Sequence, residues 1–405
     1  MNASSEPRRE TLKRLSVLIA TSAVDMIGFA MILPLLPFYA LELDATPETI
    51  GLLIASFSVA QLTTAPFWGR VSDRYGRRPA LLVGLIASAV AYVVFAFAGT
   101  VWLLLLSRLI QGAGGGTTGV AHAYVADSVE PGDRAQALGW LSAATSLGVM
   151  LGPVIGSLAA AWGQEAPGLI AAGLCAVNTV FAWVWLPESK PPVAGPHQPR
   201  PPMWQPVLAV FRKPGTPVPR LIWIYAAGML GFAAMTSVFA LFLEGRFGVT
   251  EQTIGYFFFY VGFLSLVMRS VALGPIVRRI GEVGAMRVGT VLLCIGLASY
   301  PLAHSLWVLA LLIPMVPVGT ALLFPSTTAL ISHATHPSEL GTSMGVAQTF
   351  AGLARVVAPL FATSVYQRFG DSMPFVLAGL IVAGVGVLAF RLPVAPSTRA
   401  VGSGG

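Results

Sequence analysis

Leu15-Ser-Val-Leu-Ile-Ala-Thr-Ser-Ala-Val-Asp25-Met-Ile-Gly28-Phe29-Ala-Met-Ile-Leu-Pro34-Leu-Leu-Pro37-Phe-Tyr39 is long and apolar enough to cross a membrane, yet it carries a carboxylate at its centre. At 1.5 Å per helical residue, Asp25 lies roughly 15 Å from the start of the run, about the midplane of a bilayer. A charge there costs at least about 3 kcal/mol on the most lenient insertion scale, so an intramembrane acid reads as functional. The rest of the chain is of the same kind. Hydrophobic residues make up 55% and charged residues 10% of its 405 residues, where a soluble domain carries roughly 25% charged residues. Mean hydropathy is +0.76. Spanning runs fall at about 15–39, 49–68, 80–99, 102–126, 135–162, 167–187, 221–244, 253–273, 284–303, 306–331, 340–366 and 373–391. The expected fold is an all-α membrane protein of twelve transmembrane helices.

The net charge of +7 would suit nucleic acid, but its placement argues otherwise. Most Lys and Arg residues lie in alternate loops or the termini, and only Arg246 and Arg368 fall in the intervening loops. This bias puts both termini on the cytoplasmic side of a plasma (inner) membrane and attracts anionic lipid, with no role for nucleic acid. Cys175 and Cys294 fall inside spans, so no disulfide framework is expected. Arg8-Arg9 before an apolar run imitates a twin-arginine signal, but the run is too long for a signal core and further spans follow. A retained first span is expected. There is no Gly-x-x-x-x-Gly-Lys-Ser/Thr loop for ATP, no metal-ligand spacing and no nucleophile–base set in the spans. The expectation is a monomeric non-enzyme without cofactor, handling a small molecule and protons in lipid.

A Pro-rich basic connection with Lys190, Arg200, Arg212, Lys213 and Arg220 divides the chain six plus six. The expected parts are a first half at 1–187, a cytoplasmic linker at 188–219 and a second half at 220–405. The halves repeat each other. Thr46-Pro-Glu-Thr49-Ile50-Gly51 recurs as Thr250-Glu-Gln-Thr253-Ile254-Gly255, 204 residues on. Gly28-Phe29-Ala30 recurs as Gly231-Phe232-Ala233 after 203, and Gly69 recurs as Gly274 after 205. A near-constant offset over three helices points to a duplicated six-helix unit, with a cavity between pseudo-symmetric halves and alternating access by rocking. Asp25 aligns with Gly228 or Met229 and Asp73 with Arg278, so the buried acid belongs to the first half alone.

Between the second and third spans runs Gly69-Arg-Val-Ser-Asp73-Arg74-Tyr-Gly76-Arg77-Arg78-Pro79. Gly76 permits a tight turn, Pro79 suits a first helical turn, and Asp73 can accept backbone hydrogen bonds or pair with an Arg. Positive charge alone would need neither the Asp nor the spaced glycines. This loop resembles the signature of the major facilitator superfamily. Asp25 through Pro37 resembles the first-helix motif of its twelve-span drug:proton antiporters, with further likeness in Arg108-Leu-Ile-Gln111-Gly112 and Gly148-Val-Met-Leu-Gly152-Pro153-Val-Ile-Gly156. The nearest resemblance is to tetracycline-type exporters, with Leu353-Ala-Arg355-Val-Val-Ala-Pro359 also resembling an animal tetracycline-transporter-like branch. The resemblance implies proton-coupled multidrug efflux, antibiotic resistance and a proton gradient as energy source. The alternative on the same fold is a proton-coupled uptake symporter. One departure stands out: where tetracycline exporters carry a span-eight His, this chain reads Leu264-Ser265-Leu266-Val267-Met268-Arg269.

Asp25 is either the proton site or a structural acid held by Arg108, about one turn away in depth. Gly148, Gly152 and Gly156 share one helix face and pack closely, with Pro153 adding a kink; packing between the halves near this face would limit leakage. The resemblance implies that Asp127 joins Arg77 in a network that locks the outward-facing state, with Gly69, Asp73, Arg74, Gly76 and Arg78 as gating residues. Arg269 lies near the inner end of its span and snorkels. Arg355 lies deep, either to bind a substrate carboxylate or to tie to backbone carbonyls. His122 either titrates or finds a quiet partner, and His304, His333 and His336 fall in loops. Phe29, Gln61, Asn178, Phe232, Tyr256, Tyr260 and Gln348 are candidate cavity residues, set against plain packing.

Overall fold

The structure, a computed structural model, describes residues 5–130, 132–189, 204–212, 214–336 and 339–390. Part of the expected linker, with Lys190, Arg200 and Lys213, lies outside them. Regular structure among the described residues is entirely helical. Ten segments are long and apolar enough to cross a membrane. One of them, Ile254–Leu302, is 49 residues long and turns at Gly281, whose φ of 73° and ψ of 170° lie outside the helical region. It supplies two spans, the eighth and ninth. Another span, the fourth, is split into Val101–Gly115 and Thr118–Ser128. Together these make twelve.

The breaks have local causes. Gly114-Gly115-Gly116 has the weakest helix propensity in the chain short of Pro, and the fourth span parts there. Carbonyls at the break find donors on the second span, Pro47–Tyr75. Gln61 Nε2 donates to Gly115 O at 3.2 Å, while Thr64 and the Trp68 indole donate to Ala113 O at 3.2 and 2.6 Å. Non-helical backbone at membrane depth is tolerated when protein groups satisfy it in this way. The first span bends at Pro34, between the helices Ser5–Ile32 and Leu36–Glu42.

Two compact units emerge. The first holds Met1–Pro199, Thr236–Leu266 and Pro359–Asp371; the second holds Arg200–Met235, Val267–Ala358 and Ser372–Gly405. In the first unit, the fifth span Arg134–Ala160 lies flat on the first. A Cβ on Gly148, Gly152 or Gly156 would sit 2.5–2.6 Å from Ala23 O, Ile27 O or Met31 O respectively. This glycine face therefore packs on the first span. In the second unit, the ninth span meets the tenth, Leu306–Ala334, through the same device, with Gly289 against Gly319 O at 2.7 Å.

Trp102, Trp162 and Trp307 are 77%, 79% and 88% exposed. All three lie at span ends opposite the basic loops, where amphipathic rings anchor a protein at the bilayer interface.

Candidate functional site

Asp25 projects from the first span and accepts a hydrogen bond from Ser88 of the third, Arg77–Ala96. It lines a cavity of about 300 Å³ within the first unit. Thr21, Ser22, Thr117, Thr118, Ser142 and Thr145 supply hydroxyls to its wall, and His122 also lines it. His122 Nδ1 lies 2.9 Å from Thr118 O. A carbonyl only accepts, so Nδ1 carries a hydrogen and Nε2 is the nitrogen left to take up or release a proton.

Arg108 is fully buried but makes no ion pair with Asp25. Its guanidinium lies over the Phe95 ring at 5.4 Å, its Nε reaches Ser107 Oγ at 3.5 Å, and one terminal nitrogen is buried without a partner. Tyr92 is the side chain within electrostatic range of both Asp25 and Arg108. Its phenol accepts from Gln111 Nε2 at 2.7 Å and packs on Gly28, where a Cβ would lie 3.1 Å from the ring. Asp25 and Arg108 therefore do not pair directly, and the Tyr92 phenol lies in the field of both. Arg108 and Gln111 are one helical turn apart on the fourth span and both face the third.

At the basic ends, Arg77 joins two acids. It donates to Asp73 Oδ1 at 2.6 Å, Asp127 Oδ2 at 3.0 Å and Ser72 Oγ at 2.7 Å. Arg74 lies 5.3 Å from the Tyr75 ring. The group that caps the third span is not Asp73. The Glu188 carboxylate accepts from the backbone N–H of Arg77 at 2.8 Å and of Arg78 at 3.1 Å, while the Arg78 guanidinium donates to Trp183 O. Gly76, at φ 104° and ψ 160°, lets that carboxylate come close. Gly69, by contrast, has open space where a Cβ would go.

The opposite ends of four spans in the first unit meet in two matched pairs. Gly51 of the second span presses on Pro359 and Thr363 of the eleventh, Leu340–Phe369. Gly255 of the eighth presses on Pro153 and Ser157 of the fifth. Gly255 N donates to Ser157 Oγ at 2.9 Å, and Ser157 Oγ donates to Glu251 O at 2.7 Å. Glu48 N donates to Gln367 at 3.1 Å and the Glu48 carboxylate accepts from Arg368 at 3.4 Å. These contacts close that end of the unit.

Of the cavity candidates, Gln61 is held by the broken fourth span, and Asn178 is buried with Nδ2 donating to Thr21 O at 2.9 Å. Both hold backbone in place. Phe29 packs on Phe57 at 5.0 Å. Tyr256 and Gln348 are exposed, while Tyr260, Phe232 and Arg355 are half-buried. Arg269 stands 12 residues before Gly281, because the eighth helix continues past residue 273, through Arg278 and Arg279, to the Gly281 turn. His333 belongs to the last turn of the tenth span, not to a loop, and lies 3.1 Å from Glu282.

The family model for the Major Facilitator Superfamily matches residues 18–316 and 270–405. The chain belongs to this superfamily. It is a multi-pass integral membrane transporter with the major facilitator fold. Among relatives, the class B tetracycline resistance protein of Escherichia coli is 29% identical, over 87% of this chain and 88% of its own. Multidrug resistance protein 2 of Bacillus subtilis is 26% identical over 92% and 93%. The crystal structure of the human organic anion transporter TETRAN superposes with a TM-score of 0.68 at 25% identity, covering 94% of this chain and 99% of that one. The superfamily loop Gly69–Pro79 is therefore the segment that Glu188 and Asp127 hold. Neither Glu188 nor Tyr92 was among the residues picked out from the sequence. Only the Pro-Glu that follows the sixth span hints at the first, and nothing local distinguishes the second from any aromatic in a span.

Proposed function

We propose that the chain is a proton-coupled antiporter that exports hydrophobic or amphipathic small molecules by alternating access. The observation that carries this reading is a lone carboxylate at mid-span on a hydroxyl-lined cavity that a histidine also lines. Support comes from relatives named for tetracycline and multidrug resistance. The proposed halves are 1–187 and 220–405, joined by 188–219, with both termini cytoplasmic and the basic loops facing the cytoplasm of a bacterial inner membrane. A monomer needing no cofactor is proposed, with protons as the co-substrate.

In this cycle Asp25 takes a proton from outside and gives it up inside. Release runs through the Ser/Thr-lined cavity toward His122 Nε2, on the half of the fourth span nearer the cytoplasm. Tyr92 couples the charge on Asp25 to Arg108, so that loss of the proton changes what the buried guanidinium senses. Substrate arrival competes with the protonated state. The Arg77–Asp73–Asp127 group and the Gly51 and Gly255 contacts lie at opposite ends of the spans, and each set stabilises closure of its own end. Arg74, Arg78 and Gly69 belong to the moving loop. One proton crossing about 100 mV supplies about 2.3 kcal/mol, enough for a gradient of nearly 50-fold.

The test is proton flux in proteoliposomes carrying the purified protein. Adding a transported drug on one side should drive protons in the direction opposite to the drug. Movement of drug and proton in the same direction would make the protein a symporter and overturn the reading.

A further inference from the structure

The second half of the chain carries two guanidinium groups within its long helices, Arg355 half-buried and Arg269 more exposed, and no acid near them. Its carboxylates from residue 220 on are Glu244, Glu251, Glu282, Glu339 and Asp371. Each is in a loop or within a turn of a helix end. Arg355 stands 15 residues into Leu340–Phe369, and Arg269 stands 12 residues before the Gly281 turn. At 1.5 Å per residue both are roughly 20 Å from those helix ends.

Neither group is satisfied by the protein. Among the described residues, Arg269 and Arg355 make no ion pair and no hydrogen bond, and Arg355 Nε is buried without a partner. Tyr225 of the seventh span, Pro217–Phe247, is within electrostatic range of both, so the two arginines attend one place within the second unit. Trp223 meets Phe350 with ring centroids 5.3 Å apart, which sets the Tyr225 helix beside the Arg355 helix. The Tyr225 ring meets Phe324 of the tenth span edge-on at 5.2 Å, giving an aromatic wall.

The backbone at Arg269 is also special. Met268–Ala272 is a single π turn inside the eighth span. Such turns insert a residue into the helix, re-aim the side chain and occur often at functional sites.

An unpaired guanidinium stays protonated and is costly at this depth. What relieves it is an anion that brings its own charge, and guanidinium forks match carboxylates in particular. We propose that Arg269, Arg355 and Tyr225 form the head-group site for an amphipathic organic anion, whose acid binds the arginines while its apolar body lies against Phe324. This names the cargo class within the export reading above and rests on that reading only for the word cargo. An anionic lipid head group shares the same chemistry, so the test must separate the two sources.

The probes are dansyl-glycine, dansyl-glycinamide and dansyl-ethylenediamine, which share one fluorophore and end in a carboxylate, an amide and an ammonium. Binding to the purified full chain in phosphatidylcholine nanodiscs is read by fluorescence enhancement with no proton gradient present. Dansyl-glycine should bind at least about tenfold more tightly than either other probe. Arg355→Gln and Arg269→Gln should each reduce this preference to about twofold or less, and Arg355→Lys should restore part of it. The amide titration on the same samples shows whether a variant is folded. Equal binding of all three probes, or an undiminished preference in both Gln variants, would overturn the proposal. So would loss of the preference in phosphatidylglycerol discs, which would assign the arginines to lipid. Because no gradient is used, failure of proton-coupled export leaves this result standing, and the converse also holds.

Discussion

Gly255 donates its backbone N–H to Ser157 Oγ at 2.9 Å, with no room for a side chain between the eighth and fifth spans. Its partner in the internal repeat, Gly51, likewise leaves no room for a side chain against Thr363. Pro153 and Pro359, and Ser157 and Thr363, are each 206 residues apart. The duplication has therefore kept a glycine, a proline and a hydroxyl at both members of a symmetric closure. A Cβ on Gly51 would lie 2.9 Å from Pro359 O, and one on Gly255 would lie 2.7 Å from Ser157 Oγ. Gly51→Ala and Gly255→Ala should each cost the closed end about 1–3 kcal/mol. Labelling of a Met150→Cys reporter by an impermeant maleimide should accelerate by about tenfold for each 1.4 kcal/mol. Unchanged labelling would remove these contacts from the gate.

Glu188 caps the third span across 111 residues of sequence. Glu188→Ala should destabilise the protein by about 1–2 kcal/mol, as loss of an N-terminal cap and its favourable charge does. Gly76→Ala should cost more, since it combines a backbone region essentially reserved for Gly with a collision against the same carboxylate. Gly69→Ala should be nearly neutral. Thermal unfolding in detergent checks all three.

Arg77 binds Asp73 and Asp127 together. A double-mutant cycle of Arg77→Gln and Asp127→Asn should give a coupling energy of about 1 kcal/mol, read as a shift in the open-to-closed ratio at the basic ends. Zero coupling would make the ion pair incidental.

His122 is placed to pass protons, not to hold the one that drives transport. His122→Gln should slow drug-induced proton release several-fold and leave the proton-to-drug ratio unchanged. A changed ratio would place a coupling proton on His122 itself.

Twelve spans and the repeat were legible because membrane crossing imposes a run length and duplication imposes an offset, both visible along one line of sequence. Asp25 was legible for the same reason, as an exception to its run. The Glu188 cap and the placing of Tyr92 in the field of both Asp25 and Arg108 were not, because each depends on how separate helices meet at one point. The end of the eighth helix was not legible because Gly274 and Pro275 look like a stop, whereas the helix continues and turns only at Gly281. Gln61 and Asn178 looked like polar handles for a ligand. A broken helix and a neighbouring carbonyl claim them instead, a demand that sequence composition does not reveal.

The central claim is that Asp25 carries the proton that drives export. The most direct measurement is drug transport against a concentration gradient by Asp25→Asn in proteoliposomes with an imposed pH difference. The account predicts that the variant equilibrates drug across the membrane but cannot concentrate it, while the unaltered protein can. Uphill transport by Asp25→Asn at the unaltered rate would contradict it.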